Sequence, residues 1–127
     1  MRKRKAANYE RDLQKKLWDY GFACFRIAGS GSSPLPATDL LAFKNKKVYA
    51  IEVKTTRNGI IYLDREQLRE LEVIKEAGIE VYIAVKFIGS KKGWMLIELD
   101  KVLKDNKLTI ERLEKEGIKL EDFVKNK

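Results

Sequence analysis

Residues 38–55 hold two apolar runs flanking the polar tetrapeptide Lys44-Asn45-Lys46-Lys47, and this pattern constrains the fold more than any other. Such runs around a short polar turn form a β-hairpin. With Asn45-Lys46 at the tip, Phe43 faces Val48, Leu41 faces Ala50 and Asp39 faces Glu52. Strand residues two apart share a face, so Glu52 and Lys54 point the same way. Directly opposed side chains start about 5 Å apart, and like charges at that range destabilise a sheet. A cation between Asp39 and Glu52 removes that cost, and oxygen ligands with positions left for water suit Mg²⁺. A lysine beside them can stabilise a transition-state anion or orient an attacking water. A solvated strand face with a cross-strand ion pair uses the same residue types, so the trio alone leaves both readings open.

The chain contains no histidine. That removes Ser-His-Asp, Cys-His and zinc-histidine chemistry, and nucleases built on a histidine base. Catalysis must then use carboxylates, lysine and a hard metal. The net charge is +8, from 27 Lys and Arg against 19 Asp and Glu. Residues 100–127 are nearly balanced, with eight basic and seven acidic residues, so the surplus lies in the first part of the chain with the hairpin. Such a surplus points to a polyanionic partner, with a simple solubility surplus as the alternative. An anionic membrane surface is less favoured, because no strongly basic amphipathic helix stands out.

A length of 127 residues fits one domain, and 44% hydrophobic residues suffice for one core. No apolar run approaches the roughly 20 residues that span a bilayer. The basic start Arg2-Lys3-Arg4-Lys5 leads into Ala-Ala-Asn-Tyr-Glu, which is not the pattern of a signal peptide. The single Cys24 lies in an apolar strand-like run and reads as core packing, in keeping with a reducing cytoplasm.

In chain order, residues 1–5 are expected to be a mobile basic arm available to phosphates. A helix is expected over residues 6–20, with Ala6, Tyr9, Leu13, Leu17 and Tyr20 as its apolar stripe and Glu10 at the stripe's edge. Residues 22–28 read as a strand containing Arg26, and residues 29–36 as a Gly/Ser/Pro loop bordering Asp39. After the hairpin come a turn at residues 56–59, a short extended piece, a helix N-capped by Asp64, a β-branched strand over residues 81–88 and another strand over residues 94–99. This predicts an α/β fold: a central mixed β-sheet flanked by helices, with residues 1–99 as the core and 100–127 as a tail of short helices in the same domain.

The residues also resemble a known family. A glutamate in the first helix, followed by Asp39 and then Glu52-Val53-Lys54 on a hairpin, resembles the PD-(D/E)xK nuclease superfamily. Asn8-Tyr9-Glu10-Arg11-Asp12-Leu13, Gly21-Phe22-Ala23, Arg26-Ile27-Ala28-Gly29-Ser30, Pro36-Ala37-Thr38-Asp39, Ala50-Ile51-Glu52-Val53-Lys54 and Ala84-Val85-Lys86-Phe87 are more narrowly similar to the archaeal Holliday junction resolvases of the Hjc and Hje group. The resemblance implies a restriction-endonuclease-like nuclease core. It makes Asp39, Glu52 and the Val53 carbonyl ligands of Mg²⁺, with Mn²⁺ as a substitute. Glu10 would complete the site directly or through a metal-bound water, and Lys54 would be the catalytic lysine. Ser30 would contribute to cleavage and contact DNA. Arg4 in the arm, with Arg11, Arg26 and Lys86, would bind DNA, and a homodimer would cut opposing strands of a four-way junction. Two departures are evident. Thr38 stands where the family has proline before the aspartate, and residues 64–77 contain no aromatic side chain of the kind that holds some relatives' dimers. Another DNA endonuclease of the superfamily, or a non-catalytic DNA-binding module on the same fold, are the competing readings.

Overall fold

The computed structural model describes residues 3–27, 35 and 37–127. The chain begins with helix α1 (Lys3–Asp19) and continues through β1 (Ala23–Arg26), β2 (Leu40–Lys44), β3 (Lys47–Thr56) and β4 (Ile60–Tyr62) to α2 (Arg65–Glu76). Then come β5 (Glu80–Phe87), β6 (Trp94–Glu98), α3 (Leu99–Lys104), β7 (Lys107–Thr109), α4 (Ile110–Glu116), β8 (Ile118–Lys119) and α5 (Leu120–Lys125). Six strands form the central sheet in the order β1-β2-β3-β5-β6-β8. Among the described residues only the β3–β5 pair of this sheet is parallel, so the sheet is mixed and flanked by helices, as the sequence predicts.

The hairpin register follows from its turn. Asn45 (φ 52°) and Lys46 (φ 66°) both adopt the left-handed conformation of a two-residue type I′ turn. That turn pairs Phe43 with Val48 and Leu41 with Ala50, the expected register. Alternation then separates two cores. On one face Leu13 and Leu17 of α1 and Leu120 and Phe123 of α5 pack on Cys24, Ala42 and Ile51. On the other, Leu68 and Leu71 of α2 pack with Ala50, Val81, Ile83 and Val85. Residues Val81–Val85 of β5 are all buried, as expected for a strand covered on both sides.

Three expectations are corrected. Helix α1 starts at Lys3, not after residue 5. Lys and Arg are good helix formers and lead directly into Ala6-Ala7, so residues 3–5 are helical and not a free arm. Tyr20 lies beyond the end of α1 and is 43% exposed, so it leaves the apolar stripe. The 100–127 segment is more than short helices, since β7 pairs with β4 and β8 extends the main sheet along β6. Arg112 knits this region together, donating to the carbonyls of Lys101 and Lys107 at 2.7 Å each and to that of Asp105. Among the described residues no helix is long and apolar enough to cross a membrane.

Candidate active site

The ends of β2 and β3 bring Asp39 and Glu52 together. Leu40 pairs with Ile51, and Asp39 sits one residue further, at a bend that opens β2. Its carbonyl accepts from Ile27 N at 2.9 Å, and its side-chain Oδ2 accepts from Val53 N at 2.8 Å. Thr38 is 5% exposed and donates through Oγ1 to the carbonyl of Ile51 at 2.9 Å. A hydrogen bond thus anchors the strand entrance.

Glu52 shares its face with Ala50, towards α2, and is only 5% exposed. Burial, first, and then the negative charge of Asp39 push its carboxyl up to about 8 from an ordinary 4.5. Lys54, whose Nζ lies 3.7 Å from Glu52 Oε2, and Gln67, whose Nε2 donates to the same oxygen at 2.5 Å, offset part of this. Two adjacent carboxylates whose charged forms oppose each other are a donor set that gains from a hard divalent cation. Mg²⁺ commonly uses one or two protein carboxylates and fills its other positions with water and substrate oxygens, so the pair fits it.

Glu10 comes from a different element. It belongs to α1, and Arg26 shares the α1 face with Cys24. Arg26 Nε donates to Glu10 Oε1 at 2.8 Å, with only 24% and 15% of the two side chains exposed. Among the described residues no three carboxylate, histidine or cysteine side chains form a cation-sized cluster. Hence the structure joins Asp39, Glu52 and Lys54, and joins Glu10 to Arg26. Lys86 Nζ is 4.0 Å from Asp12 Oδ2 and lies over the rings of Trp94 and Tyr9 at 5.6 and 5.8 Å. Arg11 is exposed and donates to Asn8 Oδ1 at 3.4 Å. Ser30 and the Arg4 side chain lie outside the described residues.

Gln67 was not legible as a site residue, although two signals mark it. It is polar on the helical stripe of Leu71 and Ile74, and it occupies the third position after the N-cap Asp64.

Comparison with known proteins shows the family of the chain. The family model described as archaeal Holliday junction resolvase (Hjc) matches residues 1–127. A protein of Archaeoglobus fulgidus named crossover junction endodeoxyribonuclease Hjc is 39% identical over 93 residues, covering 72% of this chain and 67% of its own. The protein of that name from Sulfurisphaera tokodaii is 32% identical over 130 residues, covering 97% of this chain and 88% of its own. The solved structure of A. fulgidus Hjc, titled a Holliday junction resolvase, superposes with a TM-score of 0.80 at 31% identity, covering 94% of this chain and 97% of that one.

Proposed function

Because the chain belongs to the archaeal Holliday junction resolvase family, we propose that it resolves four-way DNA junctions by paired, Mg²⁺-dependent cleavage of phosphodiesters. It is a nuclease by family and fold. The observation that carries the metal dependence is Glu52, a carboxyl buried to 5% exposure against the charge of Asp39. A buried carboxyl set against a second carboxylate is costly to the fold unless a cation is bound.

In this reading Asp39 and Glu52 hold the cation, with the Val53 carbonyl as a further ligand. Glu10 takes part from the α1 side, through a metal-bound water or after parting from Arg26. Bound Mg²⁺, with Mn²⁺ as substitute, lowers the pKa of water and draws charge from phosphoryl oxygens. Lys54, 31% exposed beside Glu52, would orient an attacking water and stabilise charge on the phosphoryl oxygens. Glu52 must release its proton before it can serve as a ligand.

The DNA contacts are proposed for Arg4, Arg11, Arg26, Ser30 and Lys86. Arg11 is exposed and ready for a phosphate. Arg26 and Lys86 would exchange or share their partners Glu10 and Asp12. We assign the assembly as a homodimer. Phe25 and Phe43, 51% and 39% exposed with ring centroids 6.0 Å apart, continue past α2 as an apolar sheet face suited to a second copy. The test is cleavage of a four-way junction beside a linear duplex of the same arm sequence, with Mg²⁺ or with EDTA. The junction alone should be cut, and only with Mg²⁺. Equal cutting of the duplex would favour a general endonuclease, and no cutting of either would favour a binding module.

A further inference from the structure

Asp64 and Gln67 at the start of α2 have the spacing of a capping box, in which the third helical side chain turns back to the N-cap backbone N–H. Asp64 caps the helix, accepting from Glu66 N at 3.1 Å. Gln67 instead directs its amide nitrogen across to the sheet, onto Glu52 Oε2 at 2.5 Å. Lys54 Nζ lies near the same oxygen, at 3.7 Å. Of the two donors, the closer one is neutral. A neutral amide can fix the orientation of a carboxylate without cancelling its charge, whereas an ammonium at the same place would compete with a cation.

We propose that Gln67 is a positioning residue. It holds Glu52 Oε2 so that the carboxylate turns its other oxygen to the metal shared with Asp39. It also takes the close hydrogen-bonding position at that oxygen, while Lys54 Nζ stays at 3.7 Å. The inference rests on the metal-dependent reading above. The docking of α2 does not depend on Gln67, because Leu68 and Leu71 of the same helix are 3% and 1% exposed in the core. Variants at residue 67 therefore keep the fold.

The experiment is Mn²⁺ binding to the full chain, followed by electron paramagnetic resonance, for the parent, Gln67→Leu and Gln67→Met. Both replacements keep helix propensity and bulk but donate no hydrogen bond. The Mn²⁺ dissociation constant should rise about 10- to 100-fold in both, as for other partners that orient a metal ligand. Melting temperatures in EDTA should stay near the parent's, and the Mg²⁺ concentration for half-maximal junction cleavage should rise in step. A side chain that merely fastens α2 to the sheet would lower the melting temperature and leave Mn²⁺ affinity unchanged, and that result overturns the proposal. A parent that binds no Mn²⁺ overturns both this role and the metal-dependent reading. A parent that binds it, beside variants that bind it equally well, removes Gln67 alone.

Discussion

Glu52 shares its sheet face with Ala50 and pairs with Ile83, both part of the buried apolar cluster under α2. Its carboxyl titrates near 8 when folded, against an ordinary 4.5. Between those values the folded protein holds a proton that the unfolded chain has released. The stability this supplies is complete below about 4.5 and is lost as pH rises through about 8. The metal-free protein should therefore melt at progressively lower temperature as pH climbs through that window. Asp39→Asn removes the like charge and keeps an oxygen to accept from Val53 N. In EDTA this variant should melt at or above the parent's temperature at the upper end of the window, with a shallower decline, because burial of Glu52 remains. Its junction cleavage should fall by orders of magnitude. A destabilised Asp39→Asn that still cuts in proportion to its folded fraction would make Asp39 structural. Asp39 and Glu52 were legible because the turn fixes the register. The partner of Glu10 was not: a helical stripe gives the face of a side chain, not which of two sheet faces that helix will cover.

Among the elements, the hairpin and β5 were readable from alternation and from a β-branched run. Strands β7 and β8 were not, since three and two residues are too few to show a period of two. Their formation depends on partners distant in sequence, β4 and β6. Close approach also matters there, because a Cβ at Gly117 would lie 2.7 Å from the carbonyl oxygens of Leu113 and Leu96. Helix α5 closes the α1 face: Phe123 is 1% exposed, with ring centroids 5.0 to 6.0 Å from those of Tyr82, Tyr49 and Phe22. Phe123→Ala should cost about 3–5 kcal/mol of unfolding free energy. Urea titration should register it with no change in the metal site's ligands. A loss near zero would mean that α5 is a detachable tail.

At the scale of the whole molecule, one chain presents one Asp39–Glu52 pair, too little to act on two exchanging strands at once. The net charge of +8 gives attraction to DNA of any shape, so selectivity for the junction must come from geometry. The proposed homodimer, with two copies related by a two-fold axis, would place two such sites on opposing strands. The overall architecture was legible because length, the apolar runs and the hairpin allow few alternatives. The apolar surface of Phe25 and Phe43 was not, because exposure is a property of the packed fold and not of a strand pattern. The most direct test of paired, metal-dependent resolution is cleavage of a supercoiled plasmid carrying an extruded cruciform, with Mg²⁺, sampled at early times. The account predicts linear plasmid as the first product, from two symmetric nicks in one encounter, and no cutting in EDTA or of the same plasmid relaxed. Nicked circles accumulating without linear product, or equal cutting of the relaxed plasmid, would contradict it.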